Sequence, residues 1–140
     1  MRFGFVMAGL ALAGLAGCVQ PPPASVDNCA NADGAFSDAA FVVATDPVAG
    51  ARVSSGFGVT GCSRTFESTV VYRLLTRDGS VLAEGTTQGG GVDGPGDFAF
   101  SIPFAVAERQ IGHLEVFEED ASDGEGFPPG RTVVPLVLMP

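Results

Sequence analysis

The chain predicts an all-β fold, an antiparallel sandwich of about seven strands behind an apolar leader and a flexible tether. Three observations predict it. No window of eleven or more residues keeps a helical apolar stripe, because glycine or proline interrupts every candidate. From Phe41 onward, short runs of alternating apolar and polar residues follow one another between turn signals. Residues 41–140 amount to about 100 residues, enough for one sandwich with a real core.

The strands follow in order. Phe41-Val42-Val43-Ala44 is the first and ends at the turn signal Asp46-Pro47. Gly56 to Cys62 is the second, with Phe57 and Val59 on one face and Thr60 and Cys62 on the other. That alternation turns Cys62 away from the core, where the leader can reach it. Thr69 to Thr76 is apolar on both faces except at Arg73, as expected of a central strand. Asp78-Gly79 is a hairpin signal leading into Val81 to Thr87. Gly89 to Asp97 reads as a flexible glycine-rich loop; with no helix start after it and no lysine, it is no phosphate cradle. In the fifth strand Phe98, Phe100, Ile102 and Phe104 share one face, and Pro103, lacking an amide donor, suits an edge or a strand end. Ile111 to Phe117 and Val133 to Leu138 complete the set. The succession fits a sandwich of immunoglobulin type, and a barrel would need an eighth strand that the alternation does not supply.

Residues 1–17 form a leader with a positive start, Met1-Arg2, and an apolar run from Phe3 to Gly17. That run is fifteen residues, short of the roughly 17–25 of a spanning helix. The polar Gln20-Pro21-Pro22-Pro23 prevents its extension. Leu15-Ala16-Gly17-Cys18 resembles the lipobox of bacterial lipoproteins, which implies cleavage before Cys18 and acylation of that residue. An ordinary secretory signal is the alternative. Acyl burial contributes about 0.8 kcal/mol per methylene, so durable anchoring takes two or three chains. Val19 is not the aspartate associated with inner-membrane retention, so in a cell with two membranes the outer one is expected, with the domain facing the periplasm or the cell surface. Residues 18–40 then read as lipidated terminus and Pro/Ala-rich tether.

Removing residues 1–17 leaves six arginines against sixteen acids and no lysine anywhere. The missing lysine excludes a P-loop, a Schiff base and a lysine general base. The acidic balance argues against nucleic acid and against electrostatic adhesion to an anionic leaflet. Apart from Cys18, Cys29 and Cys62 remain. Two states stay open: a disulfide closing a loop of about 34 residues, worth about 3–4 kcal/mol in the chain-entropy account, or two free thiols.

Candidate chemistry is sparse. His113, the single histidine, alternates with Leu114 and Val116 and is expected to face outward beside Glu115 rather than act as a general base. A Cys62–His113 pair would fail once Cys62 is oxidised. Glu118, Glu119, Asp120, Asp123 and Glu125 crowd one loop; their spacing does not match an EF-hand, so a solvated loop is expected over a calcium site. Nothing supplies the cleft that paired glycosidase carboxylates need. Arg64 and Phe66 form either a recognition patch or, the expectation we favour, a plug in which Phe66 closes one end of the sandwich while Glu67 pairs with an arginine.

One resemblance covers residues 41–138. It is carried by Gly61-Cys62-Ser63-Arg64-Thr65-Phe66-Glu67, Val70-Val71-Tyr72-Arg73-Leu74-Leu75, Asp78-Gly79, Glu84-Gly85, Phe98-Ala99-Phe100, Gly112-His113-Leu114-Glu115-Val116-Phe117 and Ala121-Ser122-Asp123-Gly124. The pattern resembles the immunoglobulin-like domain of bacterial spore germination, a module often found beside GerMN domains. The resemblance implies a β-sandwich serving as an interaction or accessory module in the envelope, with no catalytic residues to carry over. No GerMN domain accompanies it here, so no germination role is carried over. The resulting expectation is a non-catalytic, lipid-anchored interaction module without cofactor or metal. Its partners would be the membrane, through the lipid, and an envelope protein or polymer. A purely structural lipoprotein and an envelope enzyme using His113 are the alternatives.

Overall fold

The computed structural model describes residues 27–30, 39–120 and 130–140, and every regular element among them is a strand. The strands are β1 (Phe41–Asp46), β2 (Arg52–Val53), β3 (Phe57–Arg64), β4 (Thr69–Thr76), β5 (Val81–Gln88), β6 (Gly96–Ile102), β7 (Gln110–Phe117) and β8 (Arg131–Leu138). They form a three-stranded sheet, β1-β3-β6, and a five-stranded sheet, β2-β8-β7-β4-β5. The leader up to residue 26, Cys18 included, lies outside the described residues.

The seven strands expected from alternation are all present. The addition is β2, too short to show any period. Its origin is Pro47, which has no amide to continue the ladder beyond Asp46. The chain therefore leaves the small sheet, and Arg52 and Val53 pair in parallel with Val137 and Leu138 of the large one. Val137 N–H donates to the Ala51 carbonyl at 2.9 Å, and Met139 N–H to that of Val53 at 2.9 Å. The first strand is thus shared between the layers.

Inward-facing positions build one core. Val42, Val59, Phe98 and Ile102 come from the small sheet; Val70, Leu74, Leu114, Val116, Val134, Leu136 and Leu138 face them from the large one. Tyr72 of β4 stacks on Phe100 of β6 with ring centroids 4.3 Å apart, and Phe100 lies 6.0 Å from Phe98, so aromatic contact bridges the layers. Phe104, one residue past Pro103, packs edge-on against Phe57. Two glycines make room for this. Gly61 is paired with Phe98, and a Cβ on it would overlap the Phe98 ring and the Val43 carbonyl. Gly85 is paired with Tyr72, where a Cβ would lie 2.5 Å from the phenol oxygen.

The β4–β5 turn explains its Asp-Gly signal. Gly79 sits at φ 89°, a region L-residues avoid. Its N–H donates to the Thr76 carbonyl at 3.0 Å. Asp78 accepts the Thr76 hydroxyl and, at 3.2 Å, the Ser80 N–H. Those bonds, the Thr76 hydroxyl foremost, hold the Asp78 carboxyl below the usual carboxylate range.

Two outcomes follow. Gly61→Ala is expected to cost about 1–3 kcal/mol in denaturant unfolding, because the added methyl displaces Phe98 or the β1 ladder. At the turn, a lowered carboxyl gives stability that is present above the unfolded value of about 3.9 and lost as pH falls through the folded one. Asp78→Asn should therefore show a shallower decline in melting temperature below about pH 4 than the parent chain.

Candidate functional site

One end of the sandwich carries the most exposed aromatic side chain among the described residues. Phe66 is 75% exposed, in the loop that takes the chain from β3 to β4. The loop is nevertheless held firmly. Thr65 is buried, its N–H donating to the Gly90 carbonyl at 3.0 Å and its hydroxyl to the same oxygen at 3.3 Å. Phe66 N–H donates to Glu118 Oε1 at 2.6 Å, Gly89 N–H to the Ser68 carbonyl at 2.9 Å, and the Thr69 hydroxyl to the Glu67 carbonyl at 3.3 Å. The expected plug is therefore corrected. Phe66 cannot fold inward because its own backbone is tied across the end of the domain, and Glu67 forms no ion pair among the described residues.

Gly89-Gly90-Gly91 also departs from expectation. These glycines serve close approach rather than flexibility. A Cβ on Gly89 would overlap the Ser63 hydroxyl, one on Gly90 the Gly96 amide and Ser63 carbonyl, and one on Gly91 the Ser68 hydroxyl. The segment is the floor on which the Phe66 loop rests.

Hollows flank Phe66 on two sides. One of about 260 Å³ is lined by Phe66, Glu67, Thr69, Val71 and the acidic run Glu118-Glu119-Asp120. The other, about 210 Å³, lies against Ala40, Arg64, Thr65 and Val92. Arg64 donates to the Val92 carbonyl at 3.2 Å on the side of this second hollow. Of the proposed calcium set, Glu118 is spent on the Phe66 amide, while Asp123 and Glu125 lie outside the described residues.

The leader meets the outer face of the small sheet at two points. Cys29 is joined to Cys62 by a disulfide, with Cα atoms 5.1 Å apart. Cys62 stands between Val43 and Asp97, on the outward face that the alternation indicates, and is only 1% exposed because the leader covers it. The Thr45 hydroxyl donates to Asn28 Oδ1 at 2.7 Å. Thr45 is four residues beyond Phe41 along β1, and Phe41 is paired with Arg64 beside the Phe66 loop. The leader therefore reaches the domain near the Phe66 end, since Cys62 is two residues before Arg64 and β1 itself starts at Phe41. Asp27, Cys29 and Asp97 bring ligand-type atoms within 4.8 Å of one another. With the Cys29 sulfur taken by the bridge, only two carboxylates remain, too few for zinc or calcium.

His113 lies on the outer face of the large sheet, between Leu75 and Pro135. Neither neighbour offers a proton donor or acceptor side chain. Glu115, two residues on, pairs with Arg131 at 3.8 Å. The same face holds an arrangement that sequence reading missed. Phe117 is 6% exposed although it points outward, because Arg73 and Arg131 lie over its ring at 5.1 and 4.9 Å. Arg73 is in turn 3.6 Å from Glu84. An outward-facing aromatic in alternation with His113 and Glu115 was the available signal; the strand registers that bring both arginines to it were not.

An antiparallel two-layer sandwich whose first strand is divided between the layers is an immunoglobulin-like domain. Residues 41–125 match the family described as the immunoglobulin-like domain of bacterial spore germination, and the chain belongs to that family. Strand β8 lies beyond the matched region. Among solved structures, the crystal structure of CopC from Methylosinus trichosporium OB3b is similar with a TM-score of 0.44 and 18% identity, over 73% of this chain and 95% of that one. No curated protein matches the chain at a significant level.

The bridge gives a direct expectation. Thiol labelling of the denatured, unreduced chain should leave Cys29 and Cys62 unmodified, and replacing both by serine should lower stability by about 3–4 kcal/mol. Two labelled thiols would refute the bridge.

Proposed function

We propose that this chain is a lipid-anchored envelope protein whose immunoglobulin-like domain is a non-catalytic interaction module. The observation that carries the reading is the placement of Phe66. A rigidly tied loop presents a large apolar side chain to solvent. Leaving such a ring exposed forgoes about 1.5–3 kcal/mol of burial, which a partner surface recovers.

Acylation at Cys18 would hold the domain at a membrane. Cys18 precedes Asp27 by nine residues, a reach of at most about 30 Å. The clamp at Cys29 shortens the tether from the 21 residues between Cys18 and Ala40 to the 10 between Cys18 and Cys29. The domain would stand close to the bilayer. In a cell with two membranes Val19 favours the outer one, and the domain would face the periplasm or the surface. A non-catalytic role is supported by His113, whose register neighbours are Leu75 and Pro135. The family supplies the class of accessory module; its name does not assign a germination role.

Radiolabelled palmitate should be incorporated into the parent chain and not into Cys18→Ala. A photo-crosslinker at position 66 should capture one saturable envelope partner, whereas the same group at position 113 should not. Absence of the label, or a diffuse set of abundant neighbours from position 66, would favour a secreted or purely structural protein.

A further inference from the structure

We propose that the hollow beside Phe66 receives a guanidinium, an arginine side chain presented by a protein partner. The proposal rests on the interaction-module reading and names the chemistry of its contact.

The first argument is charge. The 260 Å³ hollow is lined by Phe66 together with Glu67, Glu118, Glu119 and Asp120. Glu67 and Glu119 form no ion pair among the described residues, so their charge is free to meet an incoming cation. The whole chain carries a formal charge of −9, which draws basic partners and discourages a second copy of itself. Arg64 lines the other hollow and is not among the residues lining this one.

The second argument is a worked example within the same molecule. On the outer face of the large sheet an aromatic ring, two guanidiniums and two carboxylates assemble into a stable cluster: Arg73 and Arg131 cover Phe117, with Glu84 and Glu115 as their counter-ions. Val71, which lines the hollow, is the register partner of Phe117, so the two arrangements are adjacent. At Phe66 the ring and carboxylates recur. A guanidinium is the member a partner would add, since its flat face stacks on a ring while its edge donates to a carboxylate.

The third argument is preorganisation. The Phe66 loop is fixed by bonds to Gly90 and Glu118 before any partner arrives, so little ordering cost falls on binding. The apolar part of the contact would come from Phe66, Val71 and the exposed Val92, and the ionic part from the acidic wall.

The test uses the full chain, isotopically labelled and held in zwitterionic detergent micelles. The probe is the capped tripeptide Gly-Arg-Gly, with Gly-Glu-Gly and calcium chloride as comparisons. Saturable amide shifts at Phe66, Thr69 and Glu118 with the arginine peptide, weakened by added salt and absent with the glutamate peptide, are expected. Phe66→Ala should weaken the peptide about three- to tenfold, the range of a partly desolvated cation–π contact, with the circular dichroism and the disulfide unchanged. Glu67→Gln with Glu119→Gln should weaken it by a similar factor while retaining the residual stacking shift. Three results would overturn the proposal: no saturable shift, equal shifts with Gly-Glu-Gly, or affinity untouched by Phe66→Ala. Calcium moving the same amides and displacing the peptide would also overturn it, in favour of a metal site. A saturable partner crosslinked at position 66 through a surface without arginine would sink the guanidinium and leave the interaction module standing.

Discussion

The aromatic bridge between the two sheets sets the geometry of everything else. Tyr72, Phe100 and Phe98 run from one layer to the other, and they fit only because Gly61 and Gly85 present bare backbone beneath two of the rings. Fixing that spacing fixes the ends of β3, β4 and β6, between which the Phe66 loop and its glycine floor are strung. The exposed ring is displayed by the core, through a chain of contacts rather than through its own packing. A display site of this kind inherits the rigidity of the scaffold.

The two faces of the sandwich are managed differently. On the outer face of the small sheet Cys62 is buried where Cys29 bridges to it, and the Thr45 hydroxyl donates to Asn28 nearby. On the large sheet, arginine stems and guanidiniums shield Phe117 from water while remaining soluble themselves. Each device hides apolar or sulfur surface without adding a further layer. Phe66 has neither device, and that contrast makes it the functional candidate.

How much of this the sequence disclosed follows from the length scale of each signal. Alternation over four or more residues located seven strands, placed Phe98, Phe100 and Ile102 on the core face, and turned Cys62 outward. Strand β2 was illegible because two residues have no period. The triple glycine misled because flexibility and close approach leave the same letters; only the positions of Ser63, Gly96 and Ser68 distinguish them. Phe66 read as a plug because the bond that holds it outward comes from Glu118, 52 residues away. The cover over Phe117 depended on register among β4, β7 and β8, which composition does not encode.

The division of the first strand between layers has a consequence for assembly. On that flank the small sheet ends in β1, broken by a bulge and stopped at Pro47, and the large sheet ends in a strand of two residues. Such borders offer no template for another chain. The opposite flank ends in the eight-residue β5 and in β6. Among the described strands the long open edges therefore gather on one flank, and strand addition, wherever it occurs, has one side of the molecule to choose.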